Sequence, residues 1–263
     1  MRNKLTGELA VCGLNAVRAL AEVHPERIHR FFFREDRAQL FGKTCKYLAS
    51  HHRPYKICDD EELERLCKSP RHQGIVAMIR EPEIPELSSE EVRRWVREGG
   101  IGILLDDVGN DNNLGAIIRS AAFFGLRSVI LSRHDKEARL TTSAYRVAEG
   151  GMEYVSLWKV SSLARCINQY RKEILFVGAD HRSPIQIREG MKVLQDRYPD
   201  RFCEKGHLPA IAIVVGNEER GLSQEVRSSC ALLVRIPGTG AIESLNVAQA
   251  ATICMHELVS YGM

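Results

Sequence analysis

The sequence predicts an α/β protein whose C-terminal part contains a mostly parallel sheet. Short apolar runs follow one another from residue 100 onward: IGILLDDV, SVILS, EYVSLW, ILFVGAD, AIAIVVG and LLVRIP. Helical patterns at 113–124, 142–149, 161–171, 222–229 and 244–260 separate them. Continuous apolar strands that alternate with helices are typical of a parallel sheet covered on both faces.

The first 80 residues predict a smaller α/β domain. A helix is predicted for CGLNAVRALAEV, which has a helical stripe at Leu14, Val17, Leu20 and Val23. Buried strands are predicted for IHRFFFRE and GIVAMI, and a second helix for DDEELERLCK. The proline-containing stretch EPEIPELSS is typical of a linker, and Ser89 is a candidate N-cap for the short helix EEVRRWVREG. We therefore predict a first domain at 1–80, a linker with a short helix at 81–98, and a second domain at 99–263.

The composition excludes several classes of protein. With 44% hydrophobic and 27% charged residues, the 263-residue chain falls in the range of soluble globular proteins. No apolar run approaches the roughly 18 residues of a membrane span, and Glu8, Asn15 and Arg18 interrupt any signal-peptide core. Eight scattered cysteines without a C-x-x-C pair argue against a disulfide framework or a zinc site. These features predict a cytoplasmic protein with no membrane contact and no metal.

The positive charge is concentrated near the N-terminus. The net charge is +3, yet residues 1–80 hold 15 Lys and Arg against 10 Asp and Glu, while the remainder holds 22 against 24. This pattern suggests that the first domain contacts a polyanion, although ordinary surface variation explains it about as well. The basic residues expected to contact phosphates are Arg27, Arg30, Arg34, Arg37, Lys43 and Lys46.

Three strand-to-loop junctions are rich in glycine, asparagine and charge, and in doubly wound proteins ligands bind where strands end. In LDDVGNDNNLGAIIRSAAFFG, a strand ends at 106–107, Asn113 is a candidate N-cap, and Arg119 follows within the helix. The apolar neighbours of Arg119 predict a buried or half-buried guanidinium, which would need a polar or anionic partner.

The other two junctions combine glycines with a polar edge. AIAIVVGNEERGLSQEV ends its strand at Gly216, which would let a ligand approach the backbone, and Glu218 would orient that ligand or an arginine, unless the turn is merely a solvated charged loop. In IPGTGAIESLNVAQAATICMHEL, Gly238 and Gly240 predict a loop against which a flat ligand lies, and Ser244 is a candidate N-cap for the last helix. The chain has no G-x-G-x-x-G after its first strand, no G-x-x-x-x-G-K-[ST] and no H-E-x-x-H, which argues against standard dinucleotide, P-loop and zinc-protease sites.

Taken together, the three junctions resemble the motifs of the SpoU or TrmH-type branch of the SPOUT RNA methyltransferases. The resemblance covers roughly 101–260 and is carried by NNLGAIIRSAAFFG, VVGNEERGLS and IPGTGAIESLNVAQAA, in that order. It implies a domain with a deep trefoil knot, S-adenosylmethionine as cofactor, a homodimer formed through that domain, and a ribose 2′-hydroxyl of ribosomal or transfer RNA as methyl acceptor. The first domain, with GLNAVRAL and HQGIVAMI, resembles the ribosomal-protein-like RNA-binding domain that precedes the knot in many members.

The resemblance also assigns roles to individual residues. It implies that Gly216, Asn217, Ile236, Gly238 and Leu245 bind the cofactor, and that the catalytic residues are Asn113, Arg119, Glu218, Ser244 and Asn246. One departure is Asp111, where many relatives have proline, which predicts a looser turn.

The family proposal makes Arg119 the activating group, but a guanidinium is a poor base. We expect Arg119 instead to hold an RNA phosphate or to stabilise the developing alkoxide, with Ser244, Glu218 or water relaying the proton. Two alternatives remain open at this point: an RNA-binding or ribosome-assembly factor that no longer methylates, and methylation of an RNA base.

Overall fold

The structure, a computed structural model, describes residues 7–126, 128–132, 140–202 and 208–260. They form two compact α/β units. Unit 1 comprises the described parts of Met1–Glu83, Leu114–Arg119 and Arg139–Tyr154, and unit 2 contains the rest. The predicted domain limits of 1–80, 81–98 and 99–263 stay a prediction, and the two units are described separately.

Unit 1 is built on a four-stranded sheet in the order β1-β4-β2-β3. Strand β4 runs antiparallel to β1 and β2, and β3 pairs in parallel with β2 at the edge of the sheet. The strands are Glu8–Cys12 (β1), Ile28–Phe33 (β2), Tyr55–Ile57 (β3) and Ile75–Arg80 (β4), and the N-terminal helices are Leu14–Val23 (α1), Gly42–Ser50 (α2) and Asp60–Cys67 (α3). The sequence did not predict β1, α2 or β3, and β3 has only three residues, too few for a strand pattern to be recognised.

A segment from the middle of the chain completes unit 1. Helix α6, Thr142–Ala148, contacts β1, and the 3₁₀ turn Gly151–Glu153 contacts α1. A Cβ at Gly150 would lie 2.7 Å from the Cβ of Ala19, so α1 and this segment approach closely enough to require glycine.

A buried ion pair links the same segment to the N-terminal residues. Arg27 donates from Nη1 to Glu153 Oε2 at 2.7 Å and from Nη2 to the Tyr145 hydroxyl at 2.8 Å. The Glu153 side chain is almost completely buried, and its second carboxylate oxygen has no hydrogen-bond partner among the residues described. Burial raises the pKa of Glu153, and the positive charge of Arg27 opposes that rise.

Unit 2 contains a six-stranded, wholly parallel sheet in the order β10-β8-β9-β5-β6-β7. Its strands are Gly100–Asp106 (β5), Ser128–Ser132 (β6), Ser156–Val160 (β7), Leu175–Ala179 (β8), Ala210–Gly216 (β9) and Leu232–Val234 (β10). Its helices are Ser89–Glu98 (α4), Leu163–Tyr170 (α7), Ile187–Arg197 (α8), Gln224–Ser229 (α9) and Val247–Ser260 (α10), and the ends of Asp111–Phe123 (α5) also belong to it. The prediction of a mostly parallel sheet is confirmed.

The central strands supply the core of unit 2. All seven residues of β9 are buried, and β5 is buried from Ile101 to Leu105. One cluster places Leu104, Phe176, Ala212 and Val214 against Trp95 of α4. Such continuous burial explains why these strands were recognisable from their sequence as unbroken apolar runs.

Helix α8 was missed by the sequence analysis although its signal was present. Ile187, Met191 and Leu194 are buried at helical spacing, and Gln186 forms a capping box with Glu189. The charged residues between them in IREGMKVLQDR lower the mean hydropathy of the segment, so its apolar periodicity was not recognised.

Three predicted N-caps are wrong by a few residues. Ser88, not Ser89, caps α4, because its hydroxyl accepts from the Glu91 N–H at 3.1 Å. Asn110, not Asn113, caps α5. The last helix begins at Val247 instead of 244, and Asn246, not Ser244, accepts the Ala248 N–H at 2.9 Å. In each case a second capping residue nearby in the sequence satisfies the orphan N–H groups.

Across the described ranges, no helix is long and apolar enough to cross a membrane, and no group of His, Cys, Asp and Glu is arranged to hold a metal ion. Seven cysteines are free thiols; Cys203 lies outside the described residues.

Replacing Arg27 by methionine should destabilise unit 1, because it leaves the Glu153 carboxylate buried without its cation. We expect a loss of roughly 3 kcal/mol in the free energy of unfolding. The loss should be larger at pH 8 than at pH 5, because without Arg27 the raised pKa of Glu153 makes ionisation in the folded state costly as the pH rises.

Denaturant unfolding at the two pH values measures both effects. The double variant Arg27→Met/Glu153→Met should recover most of the stability. Equal losses in the single and double variants would show that packing, not the uncompensated charge, determines the cost.

Candidate functional site

The first two sequence junctions meet at one edge of the sheet in unit 2. Strands β5 and β9 are parallel neighbours, and their last residues, Asp106 and Gly216, are paired in register. The third junction follows β10, which is separated from β9 only by β8. The parallel sheet therefore gathers three loops that lie far apart in the sequence, as expected for strand ends of a doubly wound sheet.

The turn after β9 folds back tightly over the strand end. A Cβ at Gly216 would lie 2.3 Å from the carbonyl carbon and oxygen of Gly221 and 2.4 Å from the Leu222 nitrogen. Gly221 itself has a φ of 69°, in the left-handed region that favours glycine. Both glycines are required by the backbone, whether or not a ligand binds there.

Asn217 organises this turn. Its Oδ1 accepts the N–H groups of Glu219 and Arg220 at 3.0 and 3.1 Å, and its Nδ2 donates to the Asp107 carbonyl at 3.0 Å. The side chain thus ties the turn after β9 to the chain after β5. The predicted contact of Asn217 with the cofactor stays a prediction, and its amide already has a structural role.

Three of the five predicted catalytic residues form one hydrogen-bonded group. Asn113 Nδ2 donates to the Glu218 carboxylate, and Asn246 Nδ2 donates to Asn113 Oδ1 at 3.0 Å. Asn246 Oδ1 in turn accepts the Ala248 N–H, which fixes the orientation of its amide. Each member comes from a different junction, so the group, called here the Asn113–Glu218–Asn246 triad, links all three loops. A carboxylate held in this way keeps free acceptor positions for a hydroxyl donor.

Arg119 does not have the environment expected from its neighbours. Its side chain is exposed, and it has no hydrogen-bond or ion-pair partner among the residues that the structure describes. The buried positions of α5 are Leu114, Gly115, Ile117, Ile118 and Ala121, and Arg119 points away from that stripe. The prediction of a buried or half-buried guanidinium is therefore wrong for the single chain, because apolar neighbours in sequence lie on a different face of the helix.

The third loop is open along its whole length. Every residue from Pro237 to Asn246 is exposed, including Ser244 and Gly238, while Ile236 is half-buried. Ile242 is 82% and Leu245 46% exposed, which is unusual for large apolar side chains. Within the described chain the structure does not bring Ser244, Ile236, Gly238 or Leu245 into hydrogen-bonded contact with the triad.

The sequence did not predict that two aspartates at the end of β5 hold the site together. Asp106 accepts the Ser223 N–H at 2.7 Å, and Asp107 forms an ion pair with Arg220. Both hold the 217–223 segment against the end of β5. The sequence signal was the Asp-Asp pair at the end of an apolar strand. That pair predicted a strand boundary but no structural role for the two carboxylates.

A third acid, Asp180, stabilises the loop after β8. Arg182 Nε donates to it at 3.0 Å, and the Arg227 guanidinium lies 2.6 Å from its other oxygen. Burial raises the pKa of Asp180, but hydrogen bonds and positive charge from Arg182 and Arg227 outweigh this and lower it overall. This cluster orders the chain next to β10, from which the open loop begins.

Comparison with known proteins identifies the two parts of the sequence separately. The model of the SpoU rRNA Methylase family matches residues 100–256, and the model described as RNA 2′-O ribose methyltransferase substrate binding matches 10–85. Among curated relatives, the 23S rRNA (guanosine-2′-O-)-methyltransferase RlmB of Acinetobacter baylyi is 33% identical, covering 93% of this chain and 94% of its own. The protein of the same name from Salmonella typhimurium is 32% identical, covering 95% and 97%.

Solved structures share the fold. The SpoU methyltransferase AviRb from Streptomyces viridochromogenes, in complex with AdoMet, superposes with a TM-score of 0.71 at 23% identity, covering 98% of this chain and 91% of its own. The AdoMet-bound rRNA methyltransferase from Sinorhizobium meliloti gives a TM-score of 0.74 at 18% identity, covering 98% and 88%.

Gly216→Ala should destabilise the protein, because the added methyl group meets backbone atoms that no rotamer change can move aside. We expect the free energy of unfolding to fall by at least about 1–3 kcal/mol, the usual cost of overpacking. Gly238→Ala is the matched control, because nothing lies within 4 Å of its added Cβ. Thermal unfolding compares the two; equal melting temperatures would contradict the close approach seen here.

Proposed function

The chain belongs to the SpoU rRNA methylase family, and we propose that it transfers a methyl group from S-adenosylmethionine to a ribose 2′-hydroxyl of ribosomal RNA. The observation that carries this proposal is the Asn113–Glu218–Asn246 triad, which joins the three family motifs. The two RlmB relatives, each named for a guanosine of 23S rRNA, support ribosomal RNA over transfer RNA and ribose over base methylation.

The residues around the strand ends are compatible with the cofactor. An added Cβ at Gly238 or Gly240 meets nothing within 4 Å, so open space adjoins the loop backbone. We propose that the backbone of Gly216, Ile236 and Leu245 holds the cofactor, with Asn217 and Gly238 beside it. When bound, S-adenosylmethionine supplies a sulfonium-activated methyl group, and this chemistry has no requirement for a metal.

The chain's own residues then act on the acceptor. In our proposal the triad positions the ribose so that its 2′-oxygen faces the methyl group, and positioning of this kind supplies much of the rate. The Glu218 carboxylate accepts the hydroxyl proton, directly or through Ser244 or water. Arg119 stabilises the negative charge that develops on the oxygen, or holds an adjacent phosphate. RNA is the substrate class because DNA lacks this hydroxyl.

The alternative of a binding factor without catalysis is less favoured. Such a protein has no chemical need for a hydrogen-bonded carboxylate and two oriented amides at the meeting point of three loops. All five residues of the predicted catalytic set are also retained.

We also propose a homodimer formed by unit 2. Phe123, at the end of α5, is 82% exposed and packs on Phe124, whose ring is 6.1 Å from that of His256 on α10. Phe123, Ile242 and Leu245 are thus large apolar side chains that are exposed in the single chain, and exposed apolar side chains favour an interface. The trefoil knot implied by the family resemblance and the cytoplasmic location predicted from the composition remain predictions.

The proposed reaction is tested with purified protein, labelled S-adenosylmethionine and ribosomal RNA from cells that lack the gene. Mass spectrometry of the digested nucleosides should show one new 2′-O-methyl nucleoside. A methylated base would overturn the acceptor, and RNA binding without any methyl transfer would favour the binding factor.

Arg119→Ala should lower the transfer rate by about 100-fold or more while leaving the affinity for S-adenosylmethionine unchanged, because the guanidinium acts on the acceptor side. Calorimetry of cofactor binding and single-turnover methylation measure the two quantities. Arg188→Ala, which removes an exposed arginine on α8, serves as the control and should retain the rate. Loss of cofactor binding in the Arg119 variant would assign that residue to the cofactor instead.

Phe123→Glu should weaken the homodimer, because it places a charge within the apolar surface. In sedimentation velocity, the parent chain should sediment as a dimer. The variant should sediment largely as a monomer at the same protein concentration. A monomeric parent at micromolar concentration would reject the proposed assembly.

A further inference from the structure

Unit 1 contains an exposed stretch that combines positive charge with aromatic side chains. Between Asp36 and Asp59 the sequence has no acidic residue, and it carries two arginines, two lysines on α2, a histidine pair and a third lysine. Helix α2 ends at Ser50, a short turn follows, and β3 begins at Tyr55. This stretch, residues 42–57, lies at the outer edge of the sheet, since β3 has a neighbour on one side only.

Ion pairing decides which basic residues of unit 1 remain available to a polyanion. Arg27 pairs with Glu153, Arg30 with Glu8, and Arg34 with both Asp36 and Asp60. The phosphate-contacting role predicted for these arginines is therefore weakened, because their charge is already neutralised by carboxylates. Arg37 also lies beside a carboxylate, because its Nε is 3.7 Å from Asp36 Oδ2.

Lys43 and Lys46 differ from those arginines. Both are exposed on α2, and neither has an ion-pair or hydrogen-bond partner among the residues that the structure covers. Arg53 adds a third uncompensated charge, because among the described residues its guanidinium donates to the neutral carbonyls of Glu26 and Ile28 and to no carboxylate. Three positive charges therefore flank the junction between α2 and β3.

The aromatic side chains of the same stretch offer flat surfaces. The rings of Tyr47 and His51 stack with centroids 4.1 Å apart and an interplanar angle of 30°. A contact of 2.8 Å between His51 Nδ1 and the Tyr47 carbonyl fixes the imidazole in this position. Tyr55, four residues further on, is 46% exposed on the edge strand. The chain between His51 and Tyr55 spans at most about 14 Å, so the backbone positions of these two residues lie no farther apart than that.

Acidic residues limit this surface on one side. At the carboxyl ends of β2 and β3, Arg34 and Lys56 are surrounded by Asp36, Asp59, Asp60 and Glu62. Lys56 Nζ donates to both carboxylate oxygens of Glu62 at 2.9 Å. An RNA backbone would be repelled there. These strand ends are thus acidic, whereas the α2–β3 junction carries Lys43, Lys46 and Arg53.

We propose that the α2–β3 junction contacts unpaired nucleotides of the RNA substrate, with Lys43 and Lys46 binding phosphates and with Tyr47–His51 and Tyr55 stacking on bases. This inference rests on the proposed function and names the part of unit 1 that serves it. Unpaired RNA is the occupant because bases stack on aromatic side chains only when they are free of a helix, whereas lysines alone would bind a duplex equally well.

The electrostatic part is tested by the salt dependence of binding. Fluorescence anisotropy would follow an RNA hairpin with a long unpaired loop, titrated with the full-length protein at several salt concentrations. Lys43→Gln/Lys46→Gln should lower the slope of log affinity against log salt by about 1.4, since each phosphate contact to a single strand contributes about 0.7. Lys172→Gln/Lys192→Gln removes the same charge from exposed sites in unit 2 and should leave the slope unchanged.

The stacking part is tested by Tyr55→Thr, a replacement that suits an edge strand. It should weaken binding of the loop RNA about 5-fold or more without altering the salt slope, and Tyr55→Phe should bind like the parent chain. Affinity for a fully paired duplex should not change. Thermal melting of each variant checks that unit 1 is still folded.

The outcomes separate this inference from the proposed function. If the parent chain methylates ribosomal RNA but the lysine and Tyr55 variants bind and methylate like the parent, the α2–β3 junction is not the RNA surface. Equal affinity of the parent chain for duplex and loop RNA would overturn the choice of unpaired RNA. A parent chain that shows both predicted binding effects but no methyl transfer would support the junction and refute the reaction.

Discussion

The candidate site depends on the close approach of the Gly221 and Leu222 backbone to Gly216. This contact bends the chain back over the end of β9 within five residues, and no side chain at position 216 would fit beneath it. Asn217 then bridges the turn to the chain after β5, and Glu218 is left directed at Asn113. The carboxylate is positioned by backbone packing, with side-chain hydrogen bonds adding orientation. A glycine that the sequence suggested for ligand access is required first of all by the fold.

The sequence predicted the sheet of unit 2 well, because the physical cause of each strand is local. A strand buried on both faces must be an unbroken apolar run, and β5 and β9 are such runs. Helix boundaries depend on which of several polar residues captures an orphan N–H, and that choice is made by geometry. Asn110 therefore caps α5, and Asn113 is free to bond Glu218. Had Asn113 capped α5, its Oδ1 would have accepted a backbone N–H and would not have been free to accept from Asn246.

Unit 1 shows why counting charges along a sequence locates a binding surface poorly. Arg27 and Arg34 contribute to the positive balance of the first 80 residues, yet each is paired with carboxylates. The partner of Arg27 is Glu153, 126 positions away, and no local pattern could reveal it. What remains positive is decided by the fold, and it includes Lys43 and Lys46 on α2. The same ion pair stabilises the segment 140–154 within unit 1, so one arginine counted as an RNA contact is instead a structural residue.

The predicted catalytic residues divide into an ordered and an uncovered group. Asn113, Glu218 and Asn246 are linked by hydrogen bonds in the single chain, whereas Arg119 and Ser244 are exposed and have no hydrogen-bond partner among the described residues. An exposed guanidinium acts through water, where its attraction for a developing alkoxide at 4 Å is worth about 1 kcal/mol, against about 4 kcal/mol near a partly desolvated surface. Arg119 can therefore contribute fully to catalysis only after something excludes water from it. The RNA substrate and a second copy of the chain, which would cover Phe123 near the end of the same helix, are the two candidates. The order in the triad and the exposure of Arg119 are consistent with an enzyme whose acceptor-side electrostatics form only when its complex is complete.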